Sequence, residues 1–125
     1  MTEARLSTPL VLVVDDEVLV ANMIADQLGD LGYMVAGPVY TLKEGQRVAS
    51  TAPINGALVD INLGREGLSS LIAGILISRN IPFRFVSGYN EVPDKRFRHV
   101  PILTKPFTIS SLAQAIEQML ASATG

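Results

Sequence analysis

Apolar and β-branched positions come in short runs that begin near Leu10, Tyr33, Gly56, Pro82 and Val100. Successive runs start roughly 18 to 26 residues apart, which is room for one helix and two short loops. Five such units predict an alternating α/β protein built on a parallel sheet. Strands inside a parallel sheet are covered on both faces, so they should be apolar throughout. Leu10-Val11-Leu12-Val13-Val14 and Ala57-Leu58-Val59 meet that demand.

Between the strands the period changes to that of helices. From Glu17 to Leu31, the residues Leu19, Met23, Ile24, Leu28 and Leu31 fall on one face, and Gly32 is a natural stop. Thr41 is placed to cap a second helix, with Glu44 three residues on as in a capping box, and Pro53 marks its end. Leu68 to Ser78 is almost wholly apolar, as a deeply packed helix would be. Thr108 is placed to cap the last helix, whose stripe is Ile109, Leu112, Ile116, Met119 and Leu120. The fourth unit is the weak one. Asn90 to His99 holds Pro93 and several charges, so a helix there should be short or irregular.

Composition narrows the function classes. The 125 residues suit one domain, 1–125, with a core over about 9–121. Apolar residues make up 48% and charged ones 18%, enough to bury a core and too apolar for a disordered segment. A net charge of -2 disfavours a nucleic-acid surface, which needs a basic stripe. With no cysteine there is no disulfide framework, thiolate metal site or cysteine nucleophile. With His99 as the single histidine, a multi-histidine metal site is disfavoured. Apolar runs are far short of a membrane span, and Met1 to Thr8 has no signal-peptide core, so a cytoplasmic location is expected. The native-looking start and the lack of a linker favour a complete chain over an excised one.

The candidate chemistry sits at strand ends. Asp15 and Asp16 follow the first strand, and taken alone they read as acids that cap the next helix. Asp60 ends the third strand, and alone it reads as a turn residue. Together they point elsewhere. Ligands of open parallel α/β sheets bind outside the carboxyl ends of the strands, where the strand order reverses. If the order is 2-1-3-4-5, that crevice gathers Asp15, Asp16 and Asp60. Each carboxylate pair at about 4 Å would then cost on the order of 4 kcal/mol at an effective dielectric of about 20, so a cation is required. Lys105, at the end of the fifth strand, offers one charge, and a hard divalent ion such as Mg²⁺ offers the other two. Ser87 ends the fourth strand and has a hydroxyl to donate to an anion held there.

In this set of residues the chain resembles a response-regulator receiver domain, from Leu10 to Leu120. The residues that carry the likeness are Asp15, Asp16, Asp60, Ser87 and Lys105-Pro106. The resemblance implies a flavodoxin-like (βα)5 doubly wound sheet in the order 2-1-3-4-5. It implies that Asp60 takes a phosphoryl group from a phosphohistidine on a histidine kinase or histidine phosphotransfer protein. Asp16, Asp60 and the Asn62 backbone carbonyl would hold Mg²⁺, with Asp15 acting mainly through water. Lys105 and Ser87 would contact the phosphoryl oxygens, and the Lys105-Pro106 bond would be cis. The implied role is a phosphoacceptor that switches a downstream protein target or drains phosphate, with at most slow autodephosphorylation, rather than an enzyme.

Two departures stand out. Most receivers carry an aromatic three positions before the lysine, where this chain has Ile102, so the usual aromatic readout is in doubt. Phe85-Val86-Ser87-Gly88-Tyr89 is similar to a subgroup, often stand-alone, with Phe-Ala-Thr-Gly-Tyr on the fourth strand, which makes Tyr89 a candidate readout. Arg96, Phe97, Arg98 and His99 read as a solvated charged turn in preference to a partner patch, and Leu63 to Gly67 as a loop beside the site. Two other classes fit the sequence less well. A phosphorylation-independent interaction module is opposed by the complete acidic set. A Mg²⁺ phosphatase on a similar fold needs an acid two positions after its nucleophile, where this chain has Asn62.

Overall fold

The computed structural model describes residues 8–63, 68–88 and 94–122. Five parallel strands form one sheet: β1 (Leu10–Val14), β2 (Met34–Val39), β3 (Gly56–Asp60), β4 (Phe83–Ser87) and β5 (Ile102–Thr104). Their order is β2-β1-β3-β4-β5, so the chain reverses direction across the sheet between β1 and β3. The helices are α1 (Val18–Asp30), α2 (Leu42–Thr51), α3 (Ser69–Ser78) and α4 (Ile109–Ser122). This is the flavodoxin-like doubly wound architecture, with four α-helices rather than five among the described residues. Among the described residues no helix is long and apolar enough to cross a membrane.

The sheet divides the interior into two cores. Alternate side chains of β1 go to opposite faces, with Leu12 and Val14 under α2 and α3, and Val11 and Val13 under α1 and α4. All five residues of β3 are buried, as expected for the central strand. Ala21, Ile24 and Leu28 of α1 meet Leu112, Ile116 and Met119 of α4 on one side. Val48 and Ala49 of α2 meet Ile72, Ala73 and Leu76 of α3 on the other. Leu19 and Met23, which share the helical period of this face, point to solvent at the crevice end of α1.

Local signals set the element ends. Gly32 follows α1 with φ +95°, a conformation that side chains with a Cβ avoid. The Thr41 hydroxyl accepts the Glu44 N–H at 3.2 Å. Only half of the expected capping box forms, because the Glu44 carboxylate pairs with Arg47 at 2.8 Å instead of reaching back. The Thr108 hydroxyl accepts the Ser111 N–H at 3.0 Å ahead of α4.

Among its described residues the fourth unit has a 3-10 turn, Lys95–Phe97, where a helix would stand in a fully repeated pattern. It is anchored by Phe97, which is buried in the core beside Phe85, ring centres 6.3 Å apart. The charged-turn reading therefore holds for Arg96, Arg98 and His99 and fails for Phe97. Proline also shortens β5. The Lys105 N–H donates to the Ser87 carbonyl at 2.7 Å. Two ladder steps back, Pro101 faces the Phe83 carbonyl and has no N–H to give. The Arg84 guanidinium supplies the donor instead, at 3.2 Å.

Candidate functional site

The reversal in strand order opens a crevice at the carboxyl ends of β1 and β3, and the acids line it. One carboxylate oxygen from each of Asp15, Asp16 and Asp60 lies within 4.8 Å of the others. Asp15 and Asp60 are buried, and Asp16 is exposed at the mouth. Three hard oxygen donors at this spacing fit a single divalent cation reached directly or through one water.

The surrounding loops fix the carboxylates. Asp60 Oδ1 accepts the Asn62 N–H at 3.1 Å, and the Asp60 carbonyl accepts the Leu63 N–H at 3.3 Å. The buried Ser69 hydroxyl donates to the Ile61 carbonyl at 3.0 Å, tying the start of α3 to the strand that carries Asp60. Both oxygens of Asp15 are engaged. Oδ1 accepts the Glu17 N–H at 2.9 Å, and Oδ2 accepts from Lys105 Nζ at 3.4 Å. Asp15 thus also tethers the start of α1, as a capping acid would. An Asp15 so engaged is suited to holding a cation's water rather than the cation itself.

The electrostatics match this crowding. Burial pushes the Asp60 carboxyl up from 3.8 to about 7; the Asn62 N–H pulls against that, Asp15 adds to it, and Lys105 opposes it. Burial alone would lower Lys105, but Asp60, Asp15 and Glu17 outweigh it and hold the ammonium above its ordinary value. Ser87 is buried at the end of β4, and the Lys105-Pro106 bond is cis.

No family model matches the chain. It is 30% identical over 115 residues to the regulatory protein VirG of Agrobacterium tumefaciens, an overlap of 88% of this chain and 43% of VirG. The chain spans less than half the length of the curated relatives it matches. Among solved structures, the PhyR response regulator REC domain of Erythrobacter litoralis is 28% identical, with a TM-score of 0.79 over 94% of this chain and 93% of that one. The BeF3-activated conformation of SdrG from Pseudomonas melonis is 36% identical, with a TM-score of 0.76 over 89% of this chain and 95% of SdrG. The chain belongs to the response-regulator receiver domains.

Within this receiver, Asp15, Asp16, Asp60, Asn62, Ser87 and Lys105 all stand at the crevice end of the sheet, each at a strand end or in the turn that follows it. Ile102 is half-buried against the α2–α3 core and leaves no ring on β5. Tyr89 and residues 64–67 of the loop after Asp60 lie outside the described residues. Two contributors escaped the sequence reading. Ser69 gave no signal beyond a helix-start serine. Glu17 gave one, as a third consecutive acid, yet its ion pair with Lys105 at 3.2 Å needs the fold to bring the two together.

Proposed function

We propose that this receiver accepts a phosphoryl group on Asp60, with Mg²⁺, from a phosphohistidine of a histidine kinase or histidine phosphotransfer protein. It then acts in the cytoplasm as a switch of partner binding or as a phosphate sink or shuttle. The single observation that carries this is the pair of buried carboxylates, Asp60 and Asp15, facing Lys105 in the crevice. A carboxylate kept this dry at the end of a central strand is costly to the fold and is suited to attack.

The chemistry follows from the geometry. An Asp60 oxygen attacks phosphorus, the bond from phosphorus to the donor imidazole breaks, and the imidazole keeps the electron pair and takes a proton. Phosphoryl transfer needs alignment and charge stabilisation more than covalent machinery. Lys105 would meet the phosphoryl oxygens, and Asp16, Asp60 and the Asn62 carbonyl would hold the metal. When bound, Mg²⁺ supplies positive charge that keeps Asp60 ionised and neutralises the incoming group. After transfer Asp60 no longer carries its carboxylate charge, and the phosphoryl brings close to two negative charges. The Ser87 hydroxyl, at the end of β4, is the donor that would follow those oxygens. With Ile102 on β5, the readout would pass through Ser87 and the segment bearing Tyr89 instead of through a strand-five ring.

That SdrG, 36% identical to this chain, has a BeF3-activated conformation supports a switch of this kind. The protein modifies itself and turns over no separate substrate, so it is not read as an enzyme. The competing reading is a receiver-shaped interaction module that ignores phosphorylation. Incubation with acetyl phosphate and Mg²⁺, followed on a phosphate-affinity gel, separates the two. A retarded band that chelator and Asp60→Asn both abolish supports the phosphoacceptor, and no band in the wild type supports the module.

A further inference from the structure

We propose that Glu17 is a latch on Lys105, a positioning residue that holds the ammonium toward the solvent side of the crevice until an anion arrives at Asp60. This rests on the phosphoacceptor reading of the same site. Lys105 Nζ lies between two carboxylates, 3.4 Å from Asp15 Oδ2 and 3.2 Å from Glu17 Oε1. Those two partners are unlike. Asp15 is 1% exposed and fixed by the Glu17 N–H, whereas the Glu17 side chain is 63% exposed. The shorter contact is therefore the one on the outside.

Asp60 acts on Lys105 through charge, while the ammonium donates hydrogen bonds to Asp15 and Glu17. A group on Asp60 would bring oxygens that compete for the same ammonium. The buried Asp15 contact can persist beside such a group, but the Glu17 contact draws Nζ the other way. Exposed ion pairs are weak, because water and salt screen them. Such a latch therefore weakens anion capture by a fewfold and does not block it. Glu17 is also dispensable to the helix. Its side chain makes no cap on α1, and its backbone alone serves the fold, the N–H donating to Asp15 and the carbonyl accepting the Ala21 N–H.

The test uses beryllofluoride as the probe at saturating Mg²⁺, with wild type, Glu17→Gln and Glu17→Asp compared by NMR. The dissociation constant comes from amide shifts, and the Lys105 side-chain resonances report the ion pair. Glu17→Gln should tighten binding by about threefold, the equivalent of one exposed pair, with Glu17→Asp in between. Its effect on the Lys105 resonances should be clear in the free protein and vanish once the probe is bound. That second readout separates a latch from a mere change of charge near the site. Equal or weaker binding in Glu17→Gln overturns the latch, as does a Lys105 perturbation that survives in the bound state. Failure of the wild type to bind the probe overturns the phosphoacceptor reading first and the latch with it.

Discussion

Asp60 makes the receiver's stability depend on pH. Its carboxyl ionises at 3.8 when ordinary and only near 7 in the fold. Between those values the folded state holds a proton that the unfolded state has lost, so stability falls as pH rises from about 4 to about 7. The loss at neutral pH is on the order of 2 kcal/mol once water at the crevice mouth is allowed for. Urea unfolding in chelator at several pH values should show this slope, and Asp60→Asn should flatten it while stabilising the protein at neutral pH. Mg²⁺ at a hundred times its dissociation constant should restore about 2.7 kcal/mol in the wild type and clearly less in Asp60→Asn. These site residues were legible because a strand end is a fixed address. An acid directly after an apolar run has one place to go in a parallel sheet. Glu17 lacked that address, since its role depends on a lysine 88 positions away.

Helices and strands were legible wherever period and capping agreed. Thr41 shows both the reach and the limit of that agreement. Its hydroxyl caps α2 as expected, yet Glu44 prefers the guanidinium one turn on to the backbone N–H behind it. Thr41→Ala should cost about 1 kcal/mol in thermal or chemical unfolding, and Glu44→Ala clearly less. Gly45 was invisible as a packing residue, because its reason lies across the interface. A Cβ there would stand 2.7 Å from Ile72 Cδ1 and 3.1 Å from Val14 Cγ1, so α2 lies close against both α3 and β1. Gly45→Ala should cost roughly 1–3 kcal/mol, less whatever the added helix propensity returns. The fourth unit resisted reading for a related reason. Phe97 sits among Lys95, Arg96, Arg98 and His99, and its burial is decided by Phe85 on another element.

Two apolar layers share one sheet, so the receiver has no single centre whose loss would spare the rest. Phe85 and Ile116 are each almost wholly buried, on opposite faces of the sheet. Phe85→Ala should cost about 3–5 kcal/mol and Ile116→Ala about 2–5 kcal/mol, each in one cooperative transition followed by circular dichroism. Separate transitions for the two faces would contradict a shared sheet. The two-sided architecture was legible because central strands apolar throughout admit little else. The strand order was not, since order is set by long-range pairing, and it entered through the family likeness.

Proline stands at both borders of the sheet. On one side β5 runs only from Ile102 to Thr104, between Pro101 and Pro106. On the other, β2 carries Pro38 after a glycine with φ +102°, and its register with β1 slips there. Missing amide hydrogens and a broken pleat leave little template for a further strand. Growth of the sheet from chain to chain, the ordinary route from a parallel sheet to a fibre, is thereby blunted at both ends. The helices and loops then remain open to contact while the backbone of the sheet stays closed.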